Sequence, residues 1–251
     1  MEKYAVSNKL PAKQISILAR RRARISKDKN LAKLRQDTRR KIMQKKPWNF
    51  KKPEAFIMQY IRAERDHKRI ERRFLHSKRF EVELPEANNV ILIMRHRTRQ
   101  TASKHLEKLM QNIHLETLHT AVLAKANDPK LGAILAIIEP YVIWGTPTIH
   151  TVRNLIFKKG KLLVNGKLED IQSNTMIEEA LGDSGIICTE DIIHELFTAG
   201  ENFDRINAIL KPFHLKAPRD GWKKKLNKSY QNGGEYGNRG NAINELIDQC
   251  L

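Results

Sequence analysis

The positive charge of this 251-residue chain is concentrated in its first third. Residues 1–80 contain 26 Lys and Arg against 7 Asp and Glu, whereas residues 81–251 contain 21 of each kind. The formal net charge of +19 therefore belongs to the N-terminal segment, and the remainder has the charge balance of an ordinary globular domain. This segregation predicts a basic arm that binds a polyanion, followed by a neutral folded body.

The N-terminal segment is predicted to be a helix with almost no apolar face. Between Lys9 and Lys46 good helix formers predominate, and the few apolar residues cannot form a continuous stripe. One basic cluster alone is as often a solvated tail or a nuclear targeting signal as a binding site, but two clusters on one helix favour phosphate binding. The two clusters comprise Arg20, Arg21, Arg22, Arg24, Arg39, Arg40, Lys41, Lys45 and Lys46.

A second basic helix is predicted to begin at Pro53, because Pro47 and Pro53 interrupt helical structure between them. A stripe at alternating spacings of four and three predicts its docking face. The stripe comprises Phe56, Tyr60, Ala63, His67, Ile70 and Phe74. We interpret His67 as packed or hydrogen-bonded, since no second His or Cys lies at ligand spacing. The candidate phosphate contacts in this region are Lys51, Lys52, Arg62, Arg69 and Arg73.

The neutral remainder alternates short apolar runs with amphipathic segments, which predicts an α/β body. The run NVILIMR at 89–95 is apolar on both faces, as in a strand buried on both sides, and residues 117–125 alternate like a half-buried strand. The central stretch predicts a strand at 141–144, a turn at 145–147 and a helix burying Val152, Leu155 and Ile156. The pair Asn165 and Gly166 predicts a hairpin between 161–164 and 167–170.

Capping signals bound several helices of the body. Asp128 before a proline predicts one helix start. Thr175 with Glu178 predicts a capping box, and Thr189 before two acids predicts a third helix start.

A second basic segment, residues 218–230, combines a Trp with five Lys and Arg and leads into a Gly-rich loop. Aromatic and basic side chains in one loop are typical of nucleic-acid contacts. We predict core packing for Trp144, which lies in an apolar run, and base stacking for Trp222. The candidate contacts on the body are Arg95, Arg97, Arg99, Lys158, Lys159, Lys161, Arg219, Trp222, Lys223, Lys224 and Lys225.

The spacing of potential catalytic residues argues against enzyme activity. His194 and Glu195 begin a zinc-protease motif, but Thr198 occupies the position of the second ligand. Gly160 and Gly166, which precede Lys167, have the spacing of a hairpin rather than of a phosphate-binding loop. Leu168 also replaces the hydroxyl residue that such a loop requires. Cys188 ends an apolar run, where a free Cys is usually a small buried side chain. We therefore expect no catalytic residues, no metal, no cofactor and no small-molecule substrate.

The cysteine content and the lack of a long apolar run indicate the cellular compartment that we expect for this chain. Cys188 and Cys250 supply neither a disulfide framework nor a zinc site. No apolar run approaches the ~18 residues that cross a bilayer, and no apolar stretch follows the basic N-terminus. We expect an intracellular protein in a reducing compartment, with no membrane partner.

Five ordered motifs carry a resemblance to a known family. They are IIEPYVIWGTP from residue 137, FKKGK from 157, LGDSGIICTEDIIHELFTAG from 181, KPFHLKAPRDGWKKK from 211 and GGEYGNRGNAINELI from 233. Over roughly residues 53–251 the chain resembles the eukaryotic long form of the universal L-thirty family of large-subunit ribosomal proteins. The arm agrees with that family in length and basic character more than in sequence.

The resemblance implies a fold, a partner and a location. The fold is α+β, a ferredoxin-like core with long basic N-terminal helices and a C-terminal extension. The partners are large-subunit ribosomal RNA and neighbouring large-subunit proteins, in the cytoplasmic ribosome after nucleolar passage during assembly. The family approaches RNA at the loop after its first core strand, here residues 95–100, which lack the glycines usual at this point.

The resemblance also divides the chain into functional segments. Residues 1–52 form a basic RNA-binding arm, 53–80 a basic amphipathic helix, 81–160 the ferredoxin-like core, and 161–251 an extension that completes the body and carries an RNA-contact loop. The function that the resemblance implies is that of a structural constituent of the large subunit, which binds and stabilises its ribosomal RNA. Two other functions fit the same residues. A paralogue of the family serves biogenesis, so an assembly factor on precursor large subunits is one alternative. A free DNA or RNA regulator that uses the arm as a nonspecific clamp is the other.

Overall fold

The computed structural model describes residues 17–45, 52–76, 82, 90–97, 104–164 and 166–251. The chain divides into two compact units, Met1–Trp48 and Asn49–Leu251. In the first unit, helix α1 spans Ile17–Lys45, which confirms the predicted basic helix over those residues. The earlier part of that prediction, residues 9–16, lies outside the described residues.

The second unit contains the remaining described elements. Its helices are α2 (Pro53–Leu75), α3 (Lys104–Asn112), α4 (Pro129–Ile138), α5 (Ile149–Lys159), α6 (Asn174–Leu181), α7 (Thr189–Thr198), α8 (Phe203–Ile209) and α9 (Ile243–Cys250). Its strands are β1 (Val90–Arg95), β2 (Thr120–Lys125), β3 (Val142–Gly145), β4 (Lys161–Val164), β5 (Lys167–Asp170), β6 (Phe213–His214), β7 (Lys225–Ser229) and β8 (Gly234–Asn238).

Six of these strands form one mixed sheet in the order β6-β2-β1-β3-β8-β7. Strand β1 is antiparallel to both neighbours, with Leu92 opposite Leu123 of β2 and opposite Gly145 of β3. Strand β8 runs parallel to β3, and β7 runs parallel to β8. Because α3 and α4 connect the three central strands and pack on one face, the expected α+β architecture with a ferredoxin-like core is confirmed.

Helices cover both faces of the sheet, so β1 is buried throughout. Ile91 and Ile93 pack with Trp144 and residues of α2, α3 and α4 on one face. Leu92 and Met94 face the opposite core, which residues of α5 to α9 complete. This arrangement confirms the prediction of a strand buried on both sides and of core packing for Trp144.

The predicted docking stripe of α2 is correct at Ile70 and Phe74 and wrong at Phe56, Tyr60 and His67. Ile70 is buried and Phe74 is partly buried against the core around Trp144. Phe56 and Tyr60 are exposed. The helix spacing continues along α2, but its buried residues begin only at Asp66, so its first half has no core of its own body to meet. His67 is exposed and lies 3.0 Å from Glu71, which agrees with a hydrogen-bonded histidine.

Local signals placed most helix and hairpin boundaries correctly. Lys130 N donates to Asp128 Oδ1 at 3.0 Å, which confirms that N-cap. Strands β4 and β5 form the predicted hairpin, with Gly166 at φ 74°. The capping-box prediction for Thr175 is wrong, since α6 begins at Asn174 and Thr175 lies inside its first turn.

The helix α7 is capped one residue earlier than predicted. Its N-cap is Cys188 rather than Thr189, and Cys188 is half-buried. The Asp191 carboxylate accepts hydrogen bonds from the Cys188 and Ile187 amides at 3.0 and 3.1 Å. These two bonds hold the pKa of Asp191 below its ordinary value. The Asp191 carboxylate therefore satisfies the amide of the N-cap residue, as in a capping box, rather than the amides that an N-cap threonine hydroxyl would accept from.

Candidate nucleic-acid interface

Helix α1 presents a row of exposed cations with little apolar surface of its own to bury. Leu31, Leu34 and Ile42 are all exposed. Five of the predicted contacts project into solvent, namely Arg20, Arg24, Arg39, Arg40 and Lys41. Arg21 is buried, Arg22 and Lys45 lie within the helix, and Lys46 and Lys51 lie outside the described residues. A helix with this surface suits phosphate neutralisation better than core packing.

The exposed cations of α2 lie from Arg62 onward, and Lys52 precedes the helix. Lys52 and Arg62 are exposed, as the sequence analysis expected for phosphate contacts. Arg69 is half-buried, and its Nη1 lies 3.4 Å from Asp66 Oδ1. Lys68, also exposed, pairs with Glu64 at 2.6 Å, one turn earlier on the same helix. The hydrogen bond from Lys68 lowers the pKa of Glu64 and so keeps its carboxylate ionised. The opposite charges of the pair partly neutralise that turn of the helix.

Arg73 is buried where α2 meets the end of α4. Its Nη1 donates to the Ala136 carbonyl oxygen at 2.6 Å and to Glu139 Oε2 at 2.7 Å. The side chains of Arg73 and Glu139 are 9% and 22% exposed. Although the sequence placed Arg73 among the phosphate contacts, the structure directs its guanidinium to acceptors within the body.

Arg95 and Arg97 anchor the segment that follows β1. Arg95 Nη1 donates to the carbonyl oxygens of Leu115 and Glu116 at 2.9 and 2.7 Å, and its Nε donates to the Arg97 carbonyl at 3.0 Å. Arg97 Nη2 lies 3.4 Å from Asp66 Oδ2. The predicted contact Arg99 lies outside the described residues.

Asp66 connects α2 to this segment. It is buried and lies within 3.4 Å of both Arg69 and Arg97. A buried carboxylate requires such partners, since an unpaired charge in the interior is costly. Its only sequence signal is an acid on the docking side of a basic helix, four residues before Ile70.

A smaller basic patch lies at the end of α5 and the start of β4. Lys158, Lys159 and Lys161 are half-buried there, and Lys161 Nζ lies 3.6 Å from Asp170 Oδ1. Burial lowers the pKa of His214 on the edge strand β6, and the charges of Lys161 and Lys159 lower it further. The positive charges of Lys159 and Lys161 therefore extend to His214 at the edge of the sheet.

The basic C-terminal segment is part of the sheet rather than only a loop. Residues 225–229 form β7, parallel to β8, so the prediction of a loop over the whole of 218–230 is wrong for this part. Its backbone joins β8 despite a lysine-rich sequence with little strand preference. The four predicted basic contacts of this region, Arg219, Lys223, Lys224 and Lys225, are exposed.

A buried ion pair attaches this basic segment to the body. Arg239 Nη2 contacts the Glu235 carboxylate and also donates to the Glu235 carbonyl oxygen at 2.9 Å. The Lys224 amide donates to Glu235 Oε1 at 2.7 Å. The Lys224 ammonium and the Arg239 guanidinium both lie over the Tyr230 ring, at 4.7 and 5.0 Å from its centroid.

Trp222 is half-buried against two histidines. The ring of His119 stacks on it at a centroid distance of 6.1 Å, and the ring of His96 meets it edge-on at 5.8 Å. The indole also packs against the core completed by α5 to α9. Its role as a base-stacking residue, predicted from its lysine neighbours, therefore depends on the part of the indole that the two histidines leave open.

Acid is expected to destabilise the body through His96. Burial lowers the pKa of His96 from 6.5 to about 4, and the charges of Arg97 and Arg239 act in the same direction. Below pH 6.5 His96 binds a proton in the unfolded chain but stays neutral in the folded state. The free energy of unfolding that is present above pH 6.5 is therefore lost progressively down to about pH 4.

The expected loss of stability is roughly 3 kcal/mol, at about 1.4 kcal/mol per pKa unit. Urea unfolding at neutral pH and near pH 4.5 measures it. His96→Gln removes the titrating group and should reduce the pH dependence by most of that amount. An unchanged pH dependence in the variant would contradict the assignment.

Among the described residues, no group of three or more His, Cys, Asp or Glu is arranged to hold a metal ion. Burial raises the pKa of Cys250 to about 11, which keeps that thiol protonated at neutral pH. None of the helices in the described ranges has the length and apolar character that a bilayer crossing requires.

The amino-acid sequence was compared with those of known proteins. No family model matches the chain. It is 33% identical over 247 residues to a large ribosomal subunit protein uL30 of Caenorhabditis elegans, covering 98% of this chain and 100% of the relative. The uL30 proteins of Dictyostelium discoideum and Drosophila melanogaster are each 35% identical, covering 92% and 99% of this chain and 93% and 98% of the relatives. Because the similarity runs through α1, the sheet and the basic C-terminal segment alike, the chain belongs to the uL30 family of large ribosomal subunit proteins.

Proposed function

We propose that this chain is a structural constituent of the large ribosomal subunit that binds and stabilises large-subunit ribosomal RNA during cytoplasmic translation. The observation that carries the proposal is the row of exposed cations on α1, on a helix whose own apolar residues are also exposed. A helix of this kind gains little from packing against its own chain. The phosphate backbone of a nucleic acid is the partner that matches its surface.

In this proposal the basic arm makes the main RNA contacts, and the neutral body is a rigid folded platform that makes further contacts. The exposed cations of α1 would neutralise phosphates and fix the position of the chain on the RNA without recognising bases. These cations are Arg20, Arg24, Arg39, Arg40 and Lys41. On the body, the exposed cations of 219–225 and the patch around Lys159 and Lys161 are the proposed further contacts. Arg73 and Arg95 instead hold the platform together, because both are buried on protein acceptors.

The proposed location follows from the proposed partner. A structural constituent of cytoplasmic ribosomes enters the particle during assembly and so passes through the nucleolus. The relatives are named as ribosomal proteins, and the chemistry proposed here is binding rather than catalysis. Neighbouring large-subunit proteins are the other proposed partners.

Sedimentation of the full chain separates this proposal from its alternatives. A tagged chain is expressed in its own cells, and extracts are resolved on sucrose gradients with and without release of translating ribosomes into subunits. A structural constituent should run with polysomes and shift to the large-subunit peak after release. A chain found only in precursor particles would be an assembly factor, and one found mostly at the top of the gradient at physiological salt would be a free nucleic-acid regulator.

A further inference from the structure

The first half of α2 interrupts the basic surface of the N-terminal third. Residues 53–61, PEAFIMQYI, contain no Lys or Arg over nine positions. Elsewhere in residues 1–80 no run without a cation exceeds six residues. Exposed cations stand on both sides of the run, at Lys52 before it and at Arg62 and Arg65 after it. We call residues 53–61 the apolar overhang.

The apolar overhang is not buried by its own body. Ile57 is 58% exposed, Met58 47% and Tyr60 74%. The buried residues of α2 all lie further along, at Asp66, Ile70 and Arg73. The first half of α2 therefore extends past the point where the helix packs on the body.

The overhang exposes large side chains on several sides of the helix. With 3.6 residues per turn, Ile57, Met58 and Tyr60 point in three different directions around the axis. A helix that is apolar all round is normally enclosed rather than exposed. Apart from Glu54 and Gln59 the overhang is apolar, so it has the surface of a helix that is enclosed by another molecule.

Its chemistry distinguishes a protein from RNA as that other molecule. RNA presents phosphates and ribose hydroxyls, which bind cations and hydrogen-bond donors. The overhang offers no cation over nine residues, and only Gln59 and Tyr60 carry side-chain hydrogen-bond donors, whereas the residues next to it offer several cations. Apolar surface that excludes charge at its centre and is rimmed by charge is typical of protein interfaces.

We propose that the apolar overhang inserts into an apolar groove of a neighbouring protein of the large subunit, and that acidic residues rim this groove. The acidic rim is required because the exposed Lys52, Arg62 and Arg65 flank the overhang and would meet this rim. Lys52 and Arg62, predicted above as phosphate contacts, pair with protein carboxylates in this proposal. Ile57 and Tyr60 are the anchor residues, since they are the most exposed of the set. The inference rests on the proposed place of the chain in the large subunit.

Photocrosslinking within purified large subunits tests the occupant directly. The full chain carries p-benzoylphenylalanine in place of Tyr60, and in a matched control in place of Lys41, an exposed cation of α1. The expected Tyr60 adduct is resistant to ribonuclease and joins one other protein, at an apolar segment flanked by Asp or Glu. An adduct sensitive to ribonuclease, an adduct within the chain itself, or no adduct would overturn the inference.

The control position keeps this result separate from the proposed RNA-binding function. Lys41 should yield an adduct that ribonuclease removes. If the Lys41 adduct were a protein, the proposed arm contact with RNA would fail, while the Tyr60 result would still decide the occupant of the overhang.

A pair of variants shows whether the apolar side chains act in the particle or in the fold. Ile57→Ser with Tyr60→Ser should leave the melting temperature of the isolated protein unchanged, because both side chains are exposed. Retention in large subunits against wild-type competitor should fall about tenfold or more at every salt concentration, as expected for lost anchor residues.

Arg62→Gln with Arg65→Gln is the matched variant of the rim. Its retention should fall mainly at low salt, since salt screens exposed charge contacts. Equal melting and equal retention of the serine variant and the wild type would overturn the inference. A serine variant that lowered the melting temperature by as much as a core substitution would overturn it too, because the overhang would then pack on its own chain.

Discussion

Replacement of Arg20, Arg24, Arg39, Arg40 and Lys41 by Gln is expected to flatten the salt dependence of ribosomal RNA binding. If the full chain contacts about six to ten phosphates, its affinity should fall about 10³- to 10⁵-fold between 50 and 200 mM salt, through release of condensed cations. Loss of five contacts should reduce the slope of log affinity against log salt by about 3.5 to 4.5. Binding of large-subunit RNA over this salt range measures the slope.

A matched variant removes the same charge from the body. Replacement of Arg219, Lys223, Lys224, Lys225 and Lys228 by Gln also deletes five cations, all of them exposed. We expect a smaller change in slope, because these residues are secondary contacts in the proposal. Circular dichroism should show the helix content of both variants unchanged. A slope that flattened only in the body variant would mean that the arm is not the main phosphate contact.

Arg73→Ala is expected to cost about 3 kcal/mol of unfolding free energy, at the lower end of the range for a broken buried ion pair. The substitution leaves Glu139 without its nearest cation and removes the donor that Ala136 O accepts at 2.6 Å. The lower end applies because the Glu139 side chain is 22% exposed and can recover some hydration. Urea unfolding at neutral pH gives the difference.

Arg72→Ala is the matched control for this substitution. Arg72 precedes Arg73 in α2 but is exposed, so its removal should change stability by no more than about 0.5 kcal/mol. Similar effects of the two substitutions would show that α2 is not tied to α4 through Arg73. After correction for the folded fraction, Arg73→Ala should retain the wild-type salt slope of RNA binding.

Elements whose signals are local could be predicted from the sequence. The residues 90–95 are apolar on both faces and form the central strand, and Asp128 caps its helix through an amide two residues later. The Asn-Gly pair predicts the hairpin of β4 and β5 for the same reason, since the whole signal lies within ten residues of the chain. Such signals depend on neighbours in the chain, so no knowledge of the tertiary fold is needed.

The roles of individual cations could not be predicted in this way. Composition identifies Arg73 and Arg95 as basic residues in a basic region, but their acceptors lie far along the chain. Arg73 meets Glu139 across 66 positions, and Arg95 meets Leu115 across 20. Similarly, β7 forms because β8 presents a free edge to a lysine-rich segment, not because that segment favours a strand.

A density map of the native large subunit with resolved side chains tests the central claim most directly. The account predicts that α1 lies against ribosomal RNA, with the charged groups of Arg20, Arg24, Arg39, Arg40 and Lys41 within hydrogen-bond distance of phosphate oxygens. It also predicts that Arg73 remains on Glu139 and Ala136, away from RNA. A map in which α1 lies away from RNA, with these five side chains in solvent or on protein carboxylates, would contradict the account.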